Sequence, residues 1–313
     1  MIPTTLALSA PVRLLALSHA GTRLVAVHET QFTVVDLATR RAVAQGPVSG
    51  VVYAAAFTPD DGALLLGTRA PTLVDLTSLK VAPPVFKGPA SAANAIGFAP
   101  DGATAYLANG SFMASSDCYL YAFDLATRAQ RWRSKPTAND GLMDVCALGD
   151  RVVLFGEQGA VVVVEPARGA SLGRIQLVAR APYGASMVLG ASLGGTGVVA
   201  VTLDEGTPVV ARIDVASTPT VTWHTELDLP DADEDESSYV GRPMVAGDAV
   251  HVPVQWSAEG RARTTLFSLD AAGGALRGQR DLDGCTNYRA IACAGDTLCW
   301  AAGANELRFD AIG

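Results

Sequence analysis

Lysine is almost missing from this chain: of its 23 basic residues only Lys80, Lys87 and Lys135 are lysine. Arginine supplies the rest, against 31 carboxylates, for a net charge of -8. A chain of that sign without a basic run lacks the face needed to neutralise phosphates, which argues against a nucleic-acid partner. The arginine bias, with abundant Ala, Gly and Val, suggests a GC-rich bacterial genome. Cysteine is sparse and odd in number (Cys118, Cys146, Cys285, Cys293, Cys299). A disulfide-stapled secreted scaffold is smaller and denser in cysteine. Free, partly buried thiols in a reducing compartment are the better reading, although Cys293 and Cys299 flank a hairpin and a bridge there is geometrically open.

Long apolar runs are also lacking. No stretch reaches the roughly 18 uninterrupted apolar residues of a spanning helix, so no membrane association is expected. The N-terminal MIPTTLALSAPVRLLALSHAG has no basic leader region, and Pro3, Pro11 and Arg13 interrupt its apolar residues. It reads as two strands separated by a proline turn rather than a signal peptide, giving a cytoplasmic assignment. Helical periodicity is scarce. The Gly-x-Ser-x-Gly elbow, the Gly-x-Gly-x-x-Gly fingerprint and the P-loop are absent. His19, His28, His224 and His251 stand at no metal-ligand spacing and read as hairpin or sheet-surface residues. No cofactor is expected.

What recurs is the short apolar run punctuated by Gly, Asp, Pro and Asn, as in RLVAVHE (23–29), RVVLFGE (151–157) and GVVAVTLD (197–204). This is an all-β pattern. An acidic residue closes such a run seven times, at Asp36, Asp75, Asp124, Glu165, Asp214, Asp270 and Asp310. Repeats spaced by about 45 residues match the four-stranded blade of a β-propeller. In each blade the acidic residue ends the third strand, its carboxylate accepting backbone donors in the turn that follows. The chain then returns as the outer strand, in RRAVAQ, KVAPPV, QRWRSK, SLGRIQL, TVTWHTEL and ALRGQRDL. FTPDDG (57–62) and FAPDG (98–102) supply the first hairpin of blades two and three, with Gly expected at the φ > 0 position, and Gly-Asp turns do so later. Blade seven falls one strand short, and TTLALSA (4–10) is placed as its outer strand. The expectation is one domain over 1–313, a seven-bladed β-propeller with four-stranded blades, closed by the N-terminal strand.

YAFDLATRAQRW (121–132) resembles the repeat of pyrroloquinoline-quinone-type propellers, with Arg128 where that repeat carries Gly. FTPDDG and FAPDG resemble the Phe-Ser-Pro-Asp-Gly hairpins of WD-repeat-like bacterial propellers. The resemblance implies a fold and no activity. The Trp-Asp dipeptide of WD repeats is absent, and the adjacent cysteines and longer chain of quinone-dependent dehydrogenases are absent too.

Residues opening the inner strands line a propeller's channel mouth. Tyr53, Asn94, Asp144, Ser186, Arg242 and Arg289 are therefore the candidate ligand residues, with a water-filled channel as the alternative. Asp144 with Arg242 or Arg289 is equally readable as an ion pair across the channel. Partner-contact candidates are Phe112 and Met113 in the 109–123 hairpin, Arg261 and Arg263 in 255–265, and Asp231, Asp233, Asp235 and Glu236 in the acidic 228–238 loop. The three aspartates alternate like the opening of a calcium loop. Glu236 replaces its Gly and Arg242 its closing Glu, so no metal is assigned. Outside 228–236, which holds six carboxylates, the chain is close to neutral. The functional expectation is a non-catalytic interaction or scaffold module, a monomeric propeller within a complex with a protein partner. The alternatives are a lactonase- or hydrolase-type enzyme, or a small-ligand sensor, at the channel mouth.

Overall fold

The computed structural model describes residues 4–80, 86, 93–109, 118–137, 141–179, 187–229, 238–285, 287–303 and 305–312. All regular structure among them is strand, every pairing is antiparallel, and all but one join strands from a single blade's stretch of chain. Blade one holds β2 (Leu14–Leu17), β3 (Arg23–Val27), β4 (Gln31–Asp36) and β5 (Arg41–Pro47). Blade two shows β6 (Ala54–Phe57), β7 (Ala63–Gly67) and β8 (Thr72–Asp75); its expected outer strand, 80–85, falls outside the described residues beyond Lys80. Blade three holds β9 (Ala93–Phe98), β10 (Thr104–Asn109), β11 (Leu120–Asp124) and β12 (Gln130–Ser134). Blade four holds β13 (Leu142–Leu148), β14 (Arg151–Gly156), β15 (Ala160–Val164) and β16 (Ser171–Gln176). Blade five holds β17 (Leu189–Gly194), β18 (Gly197–Asp204), β19 (Thr207–Asp214) and β20 (Thr220–Glu226). In blade six the inner strand is in two pieces, β21 (Tyr239–Val240) and β22 (Met244–Ala246), both paired with β23 (Ala249–Ala258), and β24 (Arg261–Asp270) and β25 (Leu276–Asp281) follow. Blade seven holds β26 (Ile291–Ala294), β27 (Thr297–Ala302) and β28 (Glu306–Ala311).

The exceptional pairing closes the ring. β1 (Thr5–Ala7) lies antiparallel on β28, with Thr5 opposite Arg308 and Ala7 opposite Glu306. The inner strands touch in an unbroken cycle, β2, β6, β9, β13, β17, β22, β26 and back to β2.

Packing explains why the strands read as continuous apolar runs. Side chains alternate between the two faces of a sheet, and here both faces are covered. Leu24 and Ala26 of β3 join the core between blades seven and one. Val25 and Val27 join the core between blades one and two. The same holds round the ring, with one apolar cluster in each gap between neighbouring blades. Only the outer strands keep an exposed face.

The acidic residue ends the third strand in five blades, while Glu165 stands just past β15 and Asp310 one residue inside β28. Its carboxylate holds the turn: Asp36 accepts from Thr39 N and Oγ1 at 2.8 and 2.7 Å, and Asp124 from Thr127 N and Oγ1 at 2.8 Å each. Asp75 does the same with Ser78, and Asp270 accepts from the Gly273 amide at 2.7 Å. Such bonds favour the ionised form and hold the carboxyls of Asp36, Asp75, Asp214 and Asp270 below the usual range, and at Asp124 the Arg131 guanidinium, 2.6 Å away, does so first and the turn bonds second. Four residues on, the backbone is left-handed at Arg40, Leu79, Arg128, Gly169 and Gly274, with φ of 54, 54, 61, 69 and 75°. Blade five departs because Pro219 follows Thr218 and restricts it to extended backbone.

Each described outer strand from β5 to β25 carries one extra residue near its start, namely Val43, Arg131, Leu172, Thr222 and Arg277. Such bulges twist an edge away from pairing with another chain.

Two expectations are corrected. In FTPDDG the left-handed residue is Asp61 (φ 55°) rather than Gly62, whereas Gly102 (φ 70°) takes it in FAPDG as expected. Asp61 is buried, and its carboxylate accepts from His19 N at 2.7 Å and Ala20 N at 2.9 Å, tying blade two to the first turn of blade one. A glycine there would lose that tie. Of the histidines, His28 and His251 are buried rather than superficial. His28 bonds Pro11 O and Thr33 Oγ1, and His251 bonds Ser268 Oγ.

Candidate functional site at the mouth of the ring

All inner strands begin on one face, called here the upper face, where the turns from second to third strands also lie. There the sequence-predicted residues separate into two groups and a remainder.

Asp144 enters β13 at a register shift and is buried. Its Oδ1 accepts from Val145 N at 2.9 Å, and its Oδ2 from Gly190 N at 3.2 Å. Arg242 stands where the inner strand of blade six is interrupted. Its Nε lies 3.0 Å from Asp144 Oδ2 and donates to Gly190 O at 3.1 Å. The guanidinium thus reaches from blade six across blade five to blade four. Burial pushes the Asp144 carboxyl above the usual range, opposed by Arg242, the two amides and, at longer range, Arg289. Gly190 is required at this crossing, since a Cβ there would sit 2.1 Å from the Phe155 ring.

Arg289, just before β26, makes the matching reach on the other side. Its Nη2 donates to the Tyr53 carbonyl at 2.6 Å, from blade seven past blade one to blade two, while its own carbonyl accepts from Leu15 N at 3.3 Å. Asn287, which the sequence reading missed, organises this side. Its Nδ2 donates to the carbonyls of Val12 (3.2 Å) and Arg13 (2.9 Å), and its Oδ1 accepts from Arg289 N (3.0 Å). Two arginine struts therefore join blades four to six and blades seven to two. Asn94, half-buried in β9, belongs to neither group.

A hollow of about 310 Å³ opens beside the second strut, lined by Val12, Arg13, Leu14, Val51, Val52, Tyr53, Asn287 and Arg289. A larger one, about 410 Å³, lies by blades six and seven. Its cations are spent internally, Arg280 on Asp310 at 2.9 Å and Arg308 on Asp283 at 2.7 Å and Glu306 at 2.8 Å. Tyr239 and Tyr288, also unanticipated, stack between blades six and seven with ring centroids 5.6 Å apart.

Arg261 and Arg263 lie exposed on the long β23–β24 hairpin, whose Glu259–Gly260 tip has both φ positive (53 and 68°). The Arg263 guanidinium sits 5.9 Å from the Trp256 ring centre. Ser186, Phe112, Met113, Asp231, Asp233, Asp235 and Glu236 lie outside the described residues. The five cysteines form no disulfide and are buried. Burial raises Cys146 and Cys293 to about 11 each, and Cys285 and Cys299 in the same direction, so these four are not ready nucleophiles. Among the described residues no three His, Cys, Asp or Glu side chains gather as metal ligands, and no helix is long and apolar enough to cross a membrane.

No protein-family model matches the chain, and no curated protein matches it. Solved structures do. The structure of U3-55K superposes with a TM-score of 0.76 at 12% identity, covering 99% of this chain and 98% of that one. The fold is a seven-bladed β-propeller. The RRP9 WD40 repeats match this propeller with a TM-score of 0.71 at 13% identity, over 98% of each chain. Hydrazine synthase of Kuenenia stuttgartiensis matches it at 0.67 and 17%, over 97% of each. At such identities the likeness concerns the fold alone, and it spans WD40 repeats and a synthase alike.

Proposed function

We propose that this chain is a non-catalytic interaction module, one propeller domain over residues 1–313 that presents its upper face to a protein partner. One observation carries the reading. At the mouth, Asp144 has both oxygens engaged by backbone amides and Arg242, while apolar surface elsewhere on the upper face is left open. Val51 and Tyr239 are 48 and 45% exposed there. A carboxylate held by two amides and a guanidinium is explained by its structural role, whereas exposed apolar side chains on a face that carries arginines are the composition of a docking surface.

The likeness of residues 121–132 to the pyrroloquinoline-quinone-type repeat is taken as one of strand and turn only, with no cofactor. The partner is a protein rather than nucleic acid or membrane, and the propeller is a cytoplasmic monomer held within a complex. The 109–118, 228–243 and 256–264 segments, including Phe112, Met113, Asp231, Asp233, Asp235, Glu236, Arg261 and Arg263, are the further contacts. A small-ligand sensor is the second reading, favoured by the 310 Å³ hollow.

The test is in-cell crosslinking in the native host followed by mass spectrometry. The expected result is a partner crosslinked through upper-face residues. Crosslinks confined to the outer strands, or none above background, overturn the reading. A ligand-dependent rise in melting temperature in a metabolite screen would favour the sensor instead.

A further inference from the structure

Three guanidinium groups stand at the mouth, Arg13 and Arg289 on one side and Arg242 on the other, in a chain whose net charge is -8. They are committed to very different degrees. Arg13 holds Glu29 at 2.9 Å, an exposed pair of the kind that is readily exchanged. Arg242 uses only its Nε, on Asp144 and Gly190, and its terminal nitrogens bond no described residue. Arg289 uses only Nη2, on a backbone carbonyl, and no carboxylate among the described residues lies within ion-pair distance of it.

The surface beside Arg289 is preorganised. Asn287 fixes the Val12 and Arg13 carbonyls and the Arg289 amide in one network, so the wall carrying the guanidinium is set before anything binds. The rest of the lining is largely apolar, with Val12, Leu14 and Val52 buried and Val51 nearly half exposed. A guanidinium with free donors next to an aliphatic wall matches a carboxylate adjoining an aliphatic side chain.

Resting on the interaction-module reading above, we propose that the hollow between blades seven, one and two docks an acidic segment of the partner protein. An Asp or Glu carboxylate meets the free donors of Arg289, with Arg13 released from Glu29 as a second cation, and a neighbouring Val, Leu or Ile lies on Val51 and Val52. The charge complementarity is local. It is opposite in sign to the chain as a whole, so it selects the segment that reaches this hollow rather than attracting anionic proteins generally.

The test is selection of a random peptide library on the intact chain, with the Arg289→Gln chain as a parallel target. Enriched peptides are expected to carry Asp or Glu beside Val, Leu or Ile. A representative synthetic peptide should bind Arg289→Gln at least about tenfold more weakly by fluorescence polarisation, and its affinity should fall with added salt. Arg289 also anchors Tyr53, so Val51→Asp serves as the second variant. It sets a carboxylate at an exposed position that supports no packing, and should abolish binding of the acidic peptide while leaving the melting temperature unchanged. Enrichment of basic or neutral peptides, no enrichment at all, or acidic peptides that bind both variants like the parent, overturns the proposal. In each case an upper-face crosslink to a partner would still stand, so failure of this site is distinguishable from failure of the module reading.

Discussion

At the turns on the rim, Asp36, Asp75, Asp124, Asp214 and Asp270 each close a strand and accept backbone amides two or three residues on, and in the four of those blades whose outer strand is described they precede the same bulge. At the mouth, Asp144, Gly190, Arg242, Asn287 and Arg289 each occur once, and each touches a different blade from its own. The rim is held by local contacts that repeat because each blade must turn its own chain. The mouth is held by long reaches between blades that nothing repeats. Repetition distributes stability, so no single rim turn decides the fold. Singular contacts concentrate it, so substitutions at the mouth are expected to cost more than those at the rim.

Gly190→Ala is the strongest way to break the comparison. Its Cβ would lie 2.1 Å from the Phe155 ring, at the point where Arg242 and Asp144 also meet. A loss of about 3 kcal/mol in urea denaturation is expected; a loss under 1 would mean that the mouth relaxes freely. Arg242→Ala comes next. It strands Asp144 in a buried place, and should lower stability by about 2–3 kcal/mol. Rim glycines should cost less. Gly169→Ala meets the Trp132 ring at 2.5 Å with φ at 69°, and about 2 kcal/mol is expected. The reverse change, Arg128→Gly, relieves a left-handed non-glycine and should stabilise by a few tenths to about 1 kcal/mol, read as a raised melting temperature.

Acid sharpens the comparison from the other side. The rim carboxyls titrate below their unfolded value of about 3.9, so their contribution is complete above that pH and is lost as pH falls through it. Asp144 is shifted upward, so it opposes stability above that pH and the opposition fades on acidification. Denaturation midpoints at pH 6, 4 and 3 should therefore decline, and Asp270→Asn should flatten the decline while Asp144→Asn should steepen it.

The rim was legible in the sequence because its cause is local. An Asp three residues before a Thr or Ser states its own hydrogen bonds, and seven acidic strand ends give the count of blades. Even so, the outer-strand bulge was missed, since it inserts one residue into a polar stretch without changing its composition. Arg128, which departs from the repeat at the Gly position, adopts the left-handed backbone that Gly would. The blades that do carry Gly there, four and six, place it under Trp132 and Trp223 of the preceding blade, where a Cβ has no room. That reason is tertiary, and no local pattern announces it. The mouth was legible only as a set of positions. Asp144, Arg242, Arg289 and Tyr53 follow from knowing where inner strands begin. Their pairing depends on which blades lie side by side. Asn287 and Gly190 carry no signal of their own, because an Asn after a loop and a Gly in a strand each have common local explanations.

The pairing of Thr5 with Arg308 has a consequence during synthesis. The strand that completes the ring precedes every other described strand in the chain, and its partner follows them all. Until β28 leaves the ribosome, β1 has no strand to pair with. A long, flat strand in that position would recruit whatever edge came near. With three residues of register it binds too weakly to hold a wrong partner, and finds the right one only when the rest of the ring holds both in place.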